Sequence, residues 1–449
     1  MAQTLRYVST RSSDDVARAS RFLEALFPHP RLHAMRLWQA TTLAATSGPP
    51  QFTLAFNTPG AVRRVFSPPV ELNGAEAFIR GEFDIEGDVF SAFGLLRQMA
   101  ATMHSLKEAS ALLRYWLRLP DDDQISSATA HSPAKLAGAK HSRLRDQAAI
   151  RHHYDVGNAF YTLFLDPRMV YSCAYFPSGR EDLATAQERK LDMICRKLRL
   201  QPGERVLDIG CGWGGWVLYA AQHYGIRALG VTLSTQQHAL ANERIQASGL
   251  SDCVEVKLLD YRDLDASSFD KLVSIGMFEH VGRRHLPEYF AHAYRLLKPG
   301  GVFLNHGISL GNLPALHRRS LSARLADRFI LGKDLFGERY IFPDGELAPV
   351  SEVNLMAEGA GFEVRDVENW REHYARTLRH WVNRLEANQA EAIRLNGEAM
   401  VRTWRLYMAG SAEGFDSGRL NINQTLLAKP AAGRSKLPWS RADWYELAT

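Results

Sequence analysis

The stretch Arg205-Val-Leu-Asp-Ile-Gly-Cys-Gly-Trp-Gly-Gly-Trp216 constrains the fold more than any other part of the chain. A short apolar strand runs into an acid and a cluster of glycines, and the helical pattern Val217-Leu-Tyr-Ala-Ala-Gln-His223 follows at once. Strand, glycine turn, helix is how an open α/β sheet builds a nucleotide crevice at its strand ends. Glycine lets the turn close tightly and lets backbone approach a ligand with no Cβ in the way. Taken alone, the pattern also suits NAD, FAD or a turn with no ligand.

Downstream, apolar runs predict strands at Arg205–Ile209, Ile226–Val231, Val254–Leu258, Lys271–Ile275, Gly301–Asn305 and Phe362–Val367. Helical patterns separate most of them, which implies a mainly parallel sheet covered on both faces. Leu420–Ala428 is expected to close the sheet as an antiparallel edge strand, and Lys298-Pro-Gly-Gly301 reads as a tight helix-to-strand turn. A dinucleotide fold places an acid roughly 20 residues past the glycines for the ribose hydroxyls. Here the second strand ends Gly230-Val-Thr-Leu-Ser234, so that acid is missing and Thr232 and Gln236 are the nearest polar groups. A nicotinamide reading is weakened. The spacing Asp208-x-Gly210-x-Gly212 instead resembles motif I of S-adenosylmethionine-dependent methyltransferases. The expected fold is therefore α/β, a class I methyltransferase core with a seven-stranded, mostly parallel sheet and helices on both faces.

At 449 residues the chain is expected to hold more than one core. Residues 1–119 read as a smaller N-terminal α+β domain, 120–145 as a polar and then basic linker, 146–430 as the catalytic domain and 431–449 as a tail. In the first of these, Gln51–Phe56 and Val62–Phe66 look like strands, Val70–Gly74 opens another segment, and Asp88–Leu119 looks like one or two helices. The N-terminus lacks the apolar stretch of a secretory signal, and no apolar run approaches the ~18 residues of a transmembrane helix. The four cysteines, Cys173, Cys195, Cys211 and Cys253, are far apart, which argues against a metal site or disulfide framework and for a cytoplasmic protein. A net charge of +5 tolerates an acidic partner. No basic stripe with stacking aromatics marks a nucleic-acid enzyme.

A closer resemblance rests on segments occurring in order: His153-Tyr-Asp-Val-Gly-Asn158, Tyr171-Ser-Cys-Ala-Tyr-Phe176, the glycine motif, Gly230-Val-Thr-Leu-Ser234, Asp260-Tyr-Arg-Asp263, Gly276-Met-Phe-Glu-His-Val-Gly282 and Tyr340-Ile-Phe-Pro-Asp-Gly345. Together they resemble the cyclopropane-fatty-acid-phospholipid synthases and the related mycolic acid cyclopropane synthases over about residues 145–428. Ile79–Asp88 also resembles a stretch in the N-terminal domain of the longer bacterial synthases. The resemblance implies transfer of the sulfonium methyl to a cis double bond of a phospholipid acyl chain, followed by deprotonation and ring closure. It implies bicarbonate as the base, held by Cys173, Glu279, His306, Ile308 through its backbone, and Tyr374. For S-adenosylmethionine it implies Tyr154 and Ser172 over the methionine part, and backbone at Gly210, Gly212 and Gly214. Asp208 either orients the turn or meets the amino-acid end; Thr232 and Gln236 face ribose, and Asp260 and Tyr261 flank adenine. Tyr171, Tyr175, Phe176, Phe278, Tyr340 and Phe342 are candidates for an aromatic face toward the cation, although each alone also reads as core packing.

Substrate access requires a lipid-facing surface. In Leu313–Gly337, Leu321, Leu325 and Phe329 would form a helical stripe flanked by arginines. That suits peripheral contact with an anionic membrane as well as packing on the chain's own domain. Related synthases imply a homodimer. Methylation of the olefin without ring closure uses the same motifs, and methylation of a small amine is a more distant alternative.

Overall fold

The computed structural model describes the chain except residues 1, 96, 97, 100–105, 122–135, 155, 266–268, 312–335 and 446–449. Two compact units account for the described residues. One comprises those within 1–133, 314–341 and 396–413; the other comprises those within 134–313, 342–395 and 414–449. Both units are discontinuous, where the sequence suggested uninterrupted stretches meeting at a linker. The stripe expected at Leu313–Gly337 falls almost wholly outside the described residues. Among the described residues, no helix is long and apolar enough to cross a membrane.

The sheet of the first unit comprises β1 (His33–Arg36), β2 (Thr42–Leu43), β3 (Phe52–Phe56) and β4 (Phe83–Gly87), in the order β2-β1-β3-β4, with the central β1 and β3 mostly buried. β1 and β3 run parallel and the outer strands antiparallel. Phe22, Phe27, Phe56, Phe66 and Phe78 are buried in this unit. Val62–Phe66, expected as a strand, instead coincides with the helix Ala61–Val65 and its C-cap Phe66. Val62 and Val65 repeat at three rather than two, so a helix buries both, and Arg64 Nε reaches Glu82 at 2.5 Å. Val70–Ile79 is also helical, and Asp88 caps the short helix Val89–Ala92 by accepting from Phe90 N–H. Arg402 fastens the third segment of this unit, donating to the carbonyls of Phe78 and Phe83 at 2.6 and 2.7 Å.

The second unit carries β5 (Arg205–Ile209), β6 (Arg227–Thr232), β7 (Val254–Leu258), β8 (Phe269–Ile275), β9 (Leu297–Leu310), β10 (Glu363–Asn369) and β11 (Leu420–Ala428). Their order is β10-β11-β9-β8-β5-β6-β7. Only β11 is antiparallel to its neighbours. This is the seven-stranded methyltransferase sheet the sequence predicted. β5 sits centrally, and four of its five residues are buried, as a strand covered on both faces requires. The chain passes from β5 to β6 on one side and later to β8 on the other, so strand order reverses at β5. A ligand crevice belongs at the carboxyl end of such a strand.

Two expectations are corrected here. β11 lies between β9 and β10, leaving β10 at the edge. Strand-forming character does not encode sheet position. Lys298-Pro-Gly-Gly301 is not a turn ahead of its strand but an irregularity within β9: Leu297 pairs with Phe269, and pairing resumes at Val302 opposite Lys271.

Candidate active site

The glycine turn is shaped by what passes close to it. Gly210 has φ +85°, and a Cβ there would lie 2.8 Å from Met277 Cγ, so a side chain is excluded both by conformation and by contact. The Gly210 and Cys211 N–H groups both donate to Val231 O at 3.0 Å, fastening the end of β5 to β6. Gly214, at φ +77°, caps the helix Gly215–Tyr224.

Tyr154, Ser172, Asp208, Gly210, Gly212, Thr232, Asp260 and Tyr261 line one crevice at this turn. Gly214 and Gln236 do not. Ser234 caps the helix Thr235–Ala247 by accepting from Gln237 N–H, and that register leaves Gln236 exposed while Gln237 is buried. Gln237 Oε1 accepts from the Thr232 hydroxyl at 2.7 Å and lines the crevice. The polar partner of Thr232 is therefore one residue further on. The sequence signal that locates it is the serine cap.

Electrostatics differ sharply between the two crevice acids. Asp208 is 2% exposed, its Oδ1 has no hydrogen-bond partner, and burial pushes its pKa up to about 7. Asp260 is also desolvated, but Arg262 donates to it at 2.6 and 2.9 Å, and these bonds hold its carboxyl below the usual range. Lys190, not singled out by the sequence, also lines the crevice; it is fully buried and donates to Ser172 Oγ at 2.9 Å.

The other predicted residues gather along β9. Glu279, in the 3-10 turn Phe278–His280, accepts the Ile308 N–H at 2.7 Å through Oε1. Its Oε2 is buried without a partner, and burial raises its pKa to about 7. His306 is fully buried, two residues before Ile308, so their side chains share a face of β9. Its Nδ1 meets Gln424 Nε2 at 3.0 Å across the β9–β11 ladder. With the amide nitrogen facing the ring, Nδ1 accepts and Nε2 carries the hydrogen, an assignment that leaves Gln424 Oε1 buried without a partner. That Nε2 is buried and unpartnered. Burial, reinforced by Lys190 and Lys197, keeps the imidazole neutral, with its pKa well below 6.5.

Trp370, which the sequence reading passed over, links the remaining candidates. Its ring stands edge-on to His306 at 5.5 Å. Its carbonyl receives the Cys173 thiol at 3.8 Å and the Tyr374 N–H at 3.0 Å. Cys173 is fully buried, and desolvation pushes its thiol up. The Tyr374 ring packs on Phe415 at 4.7 Å. Of the aromatic candidates, Tyr175 stacks on Trp370 at 4.8 Å and Phe342 lies 4.2 Å from His153. Tyr171 stacks on Trp381 at 5.0 Å, and Phe278 and Phe176 are buried. Tyr340 belongs to the first unit, where its hydroxyl meets Glu76 at 3.0 Å.

Known proteins resemble this chain over between 63% and 92% of its length. A probable fatty acid methyltransferase of Pseudomonas putida is 38% identical over 414 residues, covering 92% of this chain and 95% of that protein. The cyclopropane-fatty-acyl-phospholipid synthase of Escherichia coli K12 is 38% identical over 299 residues, 66% of this chain and 72% of that one. A solved structure of the cyclopropane synthase MmaA2 from Mycobacterium tuberculosis superposes with a TM-score of 0.58 at 32% identity, covering 63% of this chain and 97% of that chain. Residues 141–425 match the model of mycolic acid cyclopropane synthetase. The chain thus belongs to the mycolic acid cyclopropane synthetase family of S-adenosylmethionine-dependent methyltransferases.

Proposed function

We propose that the chain transfers the methyl group of S-adenosylmethionine to the cis double bond of an unsaturated phospholipid acyl chain and closes a cyclopropane ring. The observation that carries this reading is the pair of buried polar atoms without partners, Glu279 Oε2 and His306 Nε2, tied to one strand beside the glycine crevice. Methyl transfer to an alkene leaves a carbocation and a neutral thioether. One proton must then leave the added methyl group so that the last carbon–carbon bond of the ring forms. An unpartnered imidazole N–H and a carboxyl near neutrality suit a small anion that gains a proton, and in that respect these residues fit bicarbonate. When bound, bicarbonate supplies the proton acceptor.

The chain's own residues have separable tasks in this proposal. Gly210 and Gly212 admit backbone to the cofactor, Thr232 with Gln237 faces ribose, and Tyr261 flanks adenine. Asp260 is engaged by Arg262, so its contribution to adenine recognition competes with that pair. Glu279 and His306 hold the acceptor, Ile308 fixes Glu279 through its N–H, and Cys173 and Tyr374 complete the pocket around Trp370. Catalysis then rests on positioning and on a site that excludes water. Peripheral association with the inner face of the cytoplasmic membrane, as a homodimer, belongs to the same proposal.

A second reading leaves the ring open and yields a methylene or methyl-branched chain. It is kept because a relative whose match spans 92% of this chain is named a probable fatty acid methyltransferase, a name that specifies methyl transfer and not ring closure. Purified protein, S-adenosylmethionine and vesicles of cis-monounsaturated phospholipid separate the two. Gain of one CH2 by mass spectrometry with high-field ring protons in NMR supports cyclopropanation. Vinylidene or methyl-branch signals support the open product, and absence of any lipid product rejects both.

A further inference from the structure

Two buried charges border the crevice, near enough to attract one another but not in direct contact. Lys190 lies midway along the helix Leu183–Leu198, and Ser172 Oγ is the partner of its ammonium. No carboxylate of the described residues lies within ion-pair distance of it; that distance extends to 4.0 Å in the Lys197–Asp366 pair. The neighbouring Asp166 spends its oxygens on the Arg168 and Val170 N–H groups at 3.0 and 2.9 Å. Across the same crevice Asp208 Oδ1 is buried and unpartnered. A buried ammonium with spare N–H groups and a buried carboxylate with a spare oxygen are each costly unless a ligand completes them. A zwitterion satisfies both at once.

We propose that Lys190 and Asp208 read the amino-acid end of S-adenosylmethionine, Lys190 donating to the α-carboxylate and Asp208 Oδ1 accepting from the α-ammonium. This rests on the cofactor assignment above and extends it to a residue that the family motifs did not single out. Local architecture supports it. Gln187, one helical turn before Lys190, donates to the carbonyls of Ser172 and Val170 at 2.8 and 3.3 Å, so this helix holds the 170–172 strap against the crevice. Lys190 is thereby placed by two layers of contact. Burial draws Lys190 down to about 8 and Asp208 up to about 7, as expected for charges awaiting a partner.

Isothermal titration of the full chain with S-adenosylmethionine and with its decarboxylated sulfonium analogue, which keeps the amine and lacks the carboxylate, tests the assignment. Wild type should favour S-adenosylmethionine by roughly 30-fold or more, the effect of one buried charged hydrogen bond. K190M should abolish that preference, K190R should restore part of it, and D208N should weaken both ligands together. Equal wild-type affinity for the two compounds overturns the proposal, whatever the variants do. So does a preference unchanged in folded K190M. Failure of wild type to bind S-adenosylmethionine at all would instead refute the cofactor reading on which the proposal rests.

Discussion

Replacing Glu279 by glutamine should change how stability depends on pH. The carboxyl rises from 4.5 to about 7 because it is buried. Between those values the folded chain holds a proton that the unfolded chain releases, so stability must fall as pH rises. At roughly 1.4 kcal/mol per pH unit, the full loss is about 3 kcal/mol, complete above the folded pKa and absent below the unfolded one. Asp208, also raised to about 7 by burial, adds a slope of the same sign. Wild type alone therefore cannot apportion the effect, and the difference between variant and wild type does so. Glutamine keeps an acceptor for the Ile308 N–H, so the contact at 2.7 Å survives. Urea unfolding followed by tryptophan fluorescence at pH 5 and pH 8 measures the difference. E279Q should gain roughly 2–3 kcal/mol on wild type between the two pH values. An identical difference at both would show that the folded carboxyl titrates normally, and the argument for a proton held at this site would fail.

Three further outcomes are expected. Q237A should weaken S-adenosylmethionine binding by up to about 10-fold through loss of one buried hydrogen bond, while Q236A leaves it unchanged in the same titration; equal effects would contradict the helix register. G210A meets both the +85° backbone and the 2.8 Å approach of Met277, and should lower stability by roughly 1–3 kcal/mol in thermal unfolding, with part recovered by adding M277A. W444A removes a ring that is 2% exposed and lies 5.4 Å from Lys197 Nζ. It should cost about 3–5 kcal/mol, and an unchanged melting temperature would exclude a bracing role for residues 442–445.

What the sequence revealed was local. The glycine turn and Leu420–Ala428 are written in consecutive residues, and their bounds could be read directly. Gln237 rather than Gln236 lines the crevice because helix register depends on where the cap bonds form, and a shift of one residue exchanges inside for outside. Lys190 reads as a solvated helix residue until the 170–172 strap covers it. Trp370 looks like any core aromatic, and only the fold shows it meeting His306, Cys173 and Tyr374 together. The helix at Ala61–Val65 reads as a strand because Val62 and Phe66, both buried and four apart, share a face under either period in so short a run. The discontinuous units escaped notice because their fastening, such as Arg402 to the Phe78 carbonyl, joins residues 324 positions apart.

The placement of β11 bears on how the molecule is made. A ribosome delivers β9 and β10 well before Leu420–Ala428, yet among the described residues β10 has no other strand beside it in the sheet. Until the last strand emerges, β9 and β10 expose unpaired edges, the kind of surface on which nascent chains go astray. The imidazole of His306 also waits for Gln424 to fix its tautomer. Assembly of the sheet and arming of the pocket therefore coincide in one late event. An unfinished chain is sticky and, on the role proposed for His306, inert, and insertion of a single strand relieves both conditions.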